Sequence, residues 1–500
     1  MSWLPALVWL VPGAVGLTLW WLPYGSAWRL PLARCLALGQ LLLALGLFQA
    51  TATGEVLVYG FGSWSAAFGI ALAADRLSGL LVLLQSALLA VTVWILRPVA
   101  HGERSVERSL PLLFLLSFGL NGAFLTGDLF NLFVAFEVVL LASYLLIQVP
   151  GTERSLRAAF PNVAINLLAS VFFFAGVGLL YGQHGTVNLA DLALRMASGP
   201  TTTLGFVACG MLTVAFGIKA GMVPLLFWLP ATYPTFSGPV AALFAGMMTK
   251  LGVFALLRTV PLLMPDTPIP GMLVVVGAAS ALLGVLAAFS DYELRRLLGF
   301  HIVSQVGYMV LGLGLLTVGA VAATIYYLTH HIVVKAVLFF VADELERRSG
   351  TRDLRSMLPV RAGAGGLAAI FLLAALSLAG LPPLSGFFAK VGLFRAAFEA
   401  ESWATLAVLA IASFFTLASM LKVWRFAFQT DRPQRGGRLA WFGLMPVWLL
   451  AGVSILLAVS AGPVYEFAEA TARQLLDVQS YARAVLSGPN AVGIVEVPGS

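Results

Sequence analysis

Six charged residues stand where charge is costly. The sequence has 24 arginines but only five lysines, and the arginines fall almost entirely in polar segments. Lys219, Lys250, Lys335 and Lys390 lie inside long apolar runs, and Lys422 lies toward the end of another. An ammonium at mid-membrane is costly even on the mildest scales. Lysine, unlike arginine, can surrender its proton when it is desolvated. A row of buried lysines is therefore a candidate proton relay. For Lys422 the competing reading is a head group that snorkels to the interface. Glu137 joins the row, nine residues past Asp128. At about 1.5 Å per residue it comes near mid-membrane. A buried glutamate needs a proton or a cation, and its own run offers no base. Lys219 is the first candidate partner. Asp128, at the edge of that run, reads equally as a helix cap or a transport residue.

Histidines add groups that titrate near neutral pH. In YYLTHHIVVKAVLFF, His331 and Lys335 are four residues apart and share a helix face, while His330 points about a third of a turn away. A metal site is not expected, because no carboxylate or cysteine stands nearby to complete one. In the preceding run, His301, Ser304 and Gln305 could hold water or pack helices.

Each end of the row is marked by helix breakers. Lys219 occurs in FGIKAGMVPLLFWLP, where Gly221 and Pro224 follow; Lys390 occurs in LAGLPPLSGFFAK, after Gly380, Pro382, Pro383 and Gly386. Proline removes a donor and clashes with the preceding turn, so the first helix should break just after Lys219 and the second just before Lys390. Irregular backbone at membrane depth is tolerated only inside protein or along a wet cavity, and paired broken helices point to a transporter's site. Lys219 and Lys390 are 171 residues apart, Lys250 and Lys422 172. GTVNL (185–189) precedes the first break and GTRDL (350–354) the second. The pattern predicts two copies of a five-helix unit; five being odd, the second copy is inverted.

The elements that must carry these residues follow from composition. With 500 residues, 60% hydrophobic, 10% charged and a mean hydropathy of +0.95, the chain is neither a soluble enzyme, nor a nucleic-acid binder, nor disordered. Fourteen runs long enough to span a bilayer lie near 3–23, 32–52, 73–96, 109–126, 129–149, 158–181, 202–229, 236–260, 268–289, 297–317, 318–342, 364–398, 403–426 and 441–464. The Gly- and Trp-rich stretch 54–72 reads as a surface loop. The fold class is thus an all-α polytopic membrane protein of about fourteen transmembrane helices. Its parts are 1–108 (helices 1–3), 109–260 (first five-helix repeat), 268–426 (inverted second repeat) and 427–500 (helix 14 and a polar tail). Beyond 465 that tail carries Phe467, Leu475 and Leu476 at helical spacing, which suits a surface, a partner or a solvated tail. With the N-terminus outside, eighteen arginines fall on the cytoplasmic side and six on the other, the bias expected of a correct topology. Both termini are then outside a cytoplasmic membrane. The net charge of +7 reflects these loops. Cys35 and Cys209 are too far apart to suggest a disulfide framework, and the first apolar run lacks the basic start of a cleavable leader.

With Glu137, Lys219, Lys250, His330, His331, Lys335 and Lys390 in place, the chain resembles the antiporter-like membrane subunits shared by respiratory complex I, membrane-bound hydrogenases and Mrp-type multisubunit cation/proton antiporters. The likeness covers essentially the whole sequence. GDLFNLFVAFEVVLLASYLLI (127–147) looks most like the D-type chain of Mrp antiporters, whereas GLPPLSGFFAKVGLF (380–394) is shared with the N-type chain of complex I. The resemblance implies a hetero-oligomeric complex in the lipid bilayer that exchanges Na+ for protons and serves pH homeostasis, with Glu137 and Lys219 as the central pair. The alternative is a proton-pumping subunit of a redox-driven complex, of the NADH:quinone oxidoreductase or hydrogenase kind. No nucleotide, flavin, quinone or iron–sulfur motif is present, so no cofactor is expected and the chain alone is a transporter subunit rather than a redox enzyme.

Overall fold

The computed structural model describes residues 3–63, 69–96, 105–357, 365–429 and 441–487. Three helices open the chain, α1 (Leu4–Trp21), α2 (Arg29–Ala52) and α3 (Arg76–Ile95). Then come α4 (Ser105–Leu125), α5 (Leu129–Gln148), α6 (Glu153–His184), the short α7 (Leu189–Ala197), α8 (Thr203–Ala220), α9 (Trp228–Thr232) and α10 (Gly238–Leu263). The next group is α11 (Ile269–Ser290), α12 (Leu294–Gly314), α13 (Val318–Ser349), α14 (Gly365–Ala379), α15 (Ser385–Glu399) and α16 (Trp403–Phe428). α17 (Trp441–Val459), α18 (Ala461–Leu476) and α19 (Val478–Leu486) end the described chain. In hydrocarbon every backbone donor and acceptor must be satisfied within the chain, which leaves apolar runs no alternative to helix. Side-chain caps start several of them: Asp75 accepts from the Ser78 amide, Asp128 from that of Asn131, and Thr152 forms a capping box with Ser155.

Helix occupies all fourteen apolar runs, and the chain is a multi-pass membrane protein. Among the described residues, twelve helices are each long and apolar enough to cross a bilayer, thirteen if α17 and α18, bent by 82°, count as one. The run at 364–398 does not pass that test as one helix, because it is divided into α14 and α15, each of 15 residues. The stretch 54–72 departs from the expected loop. Leu57–Gly60 pairs antiparallel with Ala71–Ala74, Leu57 opposite Ala74, and the second strand is buried throughout. Residues 64–68 of that stretch, like Arg97, Arg104, Arg361, Arg432, Arg435 and Arg438, lie outside the described residues.

α10 and α13 are enclosed along their whole apolar length, and α12 nearly so, whereas α2, α6, α11 and α16 keep broad outward faces. The helices bearing Lys250, His301, His330, His331 and Lys335 are thus the core of the bundle. Both expected breaks are present. α8 stops at Ala220 and Gly221 turns left-handed with φ 75°; α14 stops at Ala379 and Gly380 does the same with φ 86°. A side chain at Gly380 would meet Lys390 Cδ at 2.6 Å, so the lysine chain packs directly on the turn.

Two short backbone clamps stand 165 residues apart. Leu129 N donates to Val187 O and Leu189 N to Gly127 O; Leu294 N donates to Arg352 O and Leu354 N to Tyr292 O, all within 2.8–3.0 Å. Each clamp ties a GTx[ND]L segment to the start of a core-lining helix. At the opposite end of the chain, residues 465–486 lie on the protein's own surface. Gln474 donates to Gly54 O at 2.9 Å, and buried Tyr481 lies beneath the Arg258 guanidinium, 5.3 Å from its ring. Arg258, near the end of the apolar run 236–260, is buried and paired with Asp75 at 2.6 Å. Burial pushes the Asp75 carboxyl up, but the adjacent Arg258 outweighs it and holds the group below the usual carboxylate range.

Candidate functional site

Glu137 projects from α5 toward α6 and is half-buried. Its carboxylate accepts from Ser170 Oγ, whose single proton can also serve Asn166 O at 3.0 Å. Lys219 Nζ, buried at the end of α8, donates to the same Asn166 carbonyl at 3.3 Å. Among the described residues no ion pair within 4 Å joins Glu137 to Lys219. One hydroxyl and one carbonyl of α6 connect them instead. Ser170 and Asn166 were missed from sequence, although Asn162, Asn166 and Ser170 recur every four residues in an otherwise apolar run and so share one face. Asn162 holds the Asn166 amide, 2.9 Å from its own carbonyl. Asp128 caps α5 and stands apart from the pair; burial pushes its carboxyl up to about 6, against the pull of the amides it accepts from.

Lys250 lies buried on α10, its Nζ donating to Ala245 O at 2.6 Å. Gly252 brings α10 against α8 at this level: a Cβ there would stand 2.5 Å from Ala220 N and 2.6 Å from Phe216 O. On α13, Lys335 Nζ donates to Leu298 O at 3.3 Å, and neither ring nitrogen of His331 has a hydrogen-bond partner. His330 turns the other way, its Nδ1 2.9 Å from Ser385 Oγ at the start of α15. His301 meets Ser419 at 2.9 Å, Ser304 donates to Ala281 O, and Gln305 accepts from Tyr327. Tyr327 stacks on Tyr308, and Lys390 Nζ sits 5.3 Å over the Tyr308 ring while donating to Ala379 O at 2.8 Å. The sequence-derived residues, all buried except the half-buried Glu137, form one set spread over α5, α8, α10, α13 and α15. Lys422 does not belong to it. Its Nζ reaches Ala288 O, Phe289 O and Asp291 O, the orphan carbonyls at the end of α11.

Among the described residues, no lysine makes an ion pair within 4 Å. Each ammonium is held by a backbone carbonyl, a neutral dipole that serves the charged form without locking it. Charges absent from the sequence-derived set gather at one mouth of the bundle. Arg295, in the first turn of α12, donates to Phe236 O at 2.7 Å and pairs with Asp343 at 2.9 Å and Glu346 at 2.8 Å. It borders an open cavity of about 1370 Å3 whose wall also carries Arg154, Asp291, Glu293 and Arg352. Leu298, whose carbonyl holds Lys335, is one turn deeper on α12.

A family model described as the NADH:quinone oxidoreductase/Mrp antiporter transmembrane region matches residues 126–416. The chain is 39% identical over 457 residues to the D chain of the Na(+)/H(+) antiporter of Alkalihalophilus pseudofirmus, spanning 90% of this chain and 92% of that protein. It is 35% identical over 478 residues to the D chain of the probable K(+)/H(+) antiporter of Rhizobium meliloti, with 87% of each covered. Among solved structures it is similar to a chain of the Mrp complex from Dietzia sp. DQ12-45-1b, with a TM-score of 0.88 and 32% identity over 97% of this chain and 99% of that one. The matched region includes both helix breaks and Glu137, Lys219, Lys250, His330, His331, Lys335 and Lys390, and the chain belongs to the transmembrane family shared by NADH:quinone oxidoreductases and Mrp antiporters.

Proposed function

We propose that this chain is the D-type component of a hetero-oligomeric monovalent cation/proton antiporter, with Na+ as the exchanged cation, and that protons move along Glu137, Lys219, Lys250, His331, Lys335, His330 and Lys390. The observation that carries the reading is the line of enclosed lysines held by carbonyls alone. An ammonium fixed by a carboxylate keeps its charge; one facing only neutral dipoles in a dry site can exist with or without its proton. The names of the matched relatives favour an antiporter over a redox-driven pump. The chain resides in the cytoplasmic membrane with fourteen crossings and both termini outward, as the arginine bias supports.

The repeats at 109–260 and 268–426 are supported by the paired clamps and by the two left-handed glycine breaks. The lysines are not equivalent in that register. Lys219 comes two residues before its break at Gly221, while Lys390 comes ten residues after Gly380. With the proposed topology Lys390 belongs to the outer half of its span, where it would accept protons bound for the exit. Lys390→Arg should then be as inactive as Lys390→Ala, because arginine keeps its proton. The test is cation-dependent proton flux in everted vesicles bearing the whole complex. Full flux in the arginine variant would mean that a fixed charge suffices there.

A further inference from the structure

At the second break, three serine hydroxyls from three helices meet. Ser377 ends α14, Ser385 begins α15 and Ser454 comes from the middle of α17; all are buried. Ser385 Oγ lies 3.0 Å from Ser377 Oγ and 3.1 Å from Ser454 Oγ, and the remaining side of the triangle is 3.5 Å. His330 Nδ1 approaches Ser385 at 2.9 Å. The contact depends on Gly386, where a Cβ would fall 1.8 Å from Ser377 O and 3.0 Å from His330 Cε1. Two residues past Ser377, in the same final turn, the Ala379 carbonyl holds the Lys390 ammonium at 2.8 Å.

We propose that Ser385, Ser377 and Ser454 form a hydroxyl relay that delivers a proton from His330 to the break holding Lys390, and that α17, outside both proposed repeats, is thereby part of the conducting path. The inference rests on the proton line proposed above. A hydroxyl both donates and accepts, so a closed triangle of three can pass a proton without any of them ionising at rest. Ser385 takes the proton from His330 Nδ1 as its own passes to Ser377, which releases one toward the Lys390 amine. Ser385 and Ser377 each gain one proton and lose one; the imidazolium loses one and the amine gains it. Ser454 offers Ser385 and Ser377 a further hydroxyl, through which they turn back after each transfer.

The experiment measures cation-dependent proton flux in vesicles bearing the complete complex, with assembly and thermal midpoint followed in parallel. Ser385→Ala and Ser377→Ala should lose the flux. Ser454→Ala should slow it severalfold and Ser454→Thr, which keeps the hydroxyl, should restore it, with the thermal midpoint unchanged throughout. Wild-type flux in assembled Ser385→Ala overturns the relay, and wild-type flux in Ser454→Ala removes α17 from it. A Ser454→Ala defect that follows a lowered midpoint and that threonine does not repair assigns the cluster to packing, which also overturns it. His330→Ala separates the two levels: flux surviving there contradicts the proton line itself, whereas its loss beside an active Ser385→Ala contradicts this inference alone.

Discussion

Glu137→Gln should abolish cation-dependent proton flux while leaving the complex assembled. The carboxylate reaches the Lys219 ammonium through Ser170 and the Asn166 carbonyl, with no direct ion pair. Under the proposed mechanism, that open arrangement would leave the lysine free to pass a proton toward Lys250. If the carboxylate closed on the ammonium, each charge would stabilise the other and the proton would stay. Under the same mechanism, a cation arriving at Glu137 would compete for the carboxylate and so couple its own entry to proton release. Glutamine keeps the Ser170 hydrogen bond but cannot hold the cation or close the pair. Lys219→Ala should be equally inactive, and Glu137→Asp should keep part of the flux. Asn166→Ala, which retains the backbone oxygen, should be milder than Ser170→Ala, which removes the link. The check is flux in everted vesicles with the assembled complex quantified on gels; wild-type rates in Glu137→Gln would take the pair out of the mechanism.

The second large effect concerns stability. Asp75 and Arg258 are both buried and meet at 2.6 Å between the cap of α3 and the last turns of α10, with Ser78 and Tyr481 packed around them. Removing either partner strands a charge in a dry site, at about 3–5 kcal/mol, whereas replacing both with apolar groups is often close to neutral. Arg258→Met should therefore lower the thermal midpoint of the purified complex sharply, and Asp75→Leu with Arg258→Met should recover much of it. A single variant as stable as the parent would mean that water reaches the pair. Because the folded pKa of Asp75 is depressed, the pair's contribution is present above the ordinary aspartate value and is lost as pH falls through the lower folded one.

Much of this was legible in the sequence because membrane physics is unforgiving. Apolar runs must be helices, and lysines inside them must have a reason. Gly221, Pro224, Gly380 and Pro383 marked both breaks through backbone chemistry that few other residues share. Boundaries drifted where polar residues extended a helix. α6 begins at Glu153, five residues before its apolar run, because Thr152 and Ser155 form a capping box and Glu153 pairs with Arg157. α13 continues to Ser349 because Glu344 pairs with Arg347 and Arg348. The β-hairpin was hidden because Ala71–Ala74 has no strand signature and becomes one only by pairing with Leu57–Gly60. In the site, Ser170, Ser377, Ser385 and Ser454 escaped notice because serine commonly bonds its own helix's carbonyls, and only the fold brings the last three together. Arg295, Asp343 and Glu346 carry no sequence signal for their pairing, because only the fold brings the start of α12 against the end of α13.

The central claim is that protons cross this chain along its buried lysines. Lys335 tests it most directly, because it lies on the wholly enclosed α13, between the two breaks and away from Glu137. The measurement is cation-driven proton flux across everted vesicles bearing the complete complex with Lys335→Ala in this chain, assembly verified. Flux should be no greater than in vesicles without the complex; flux at the wild-type rate would rule out proton passage along these lysines.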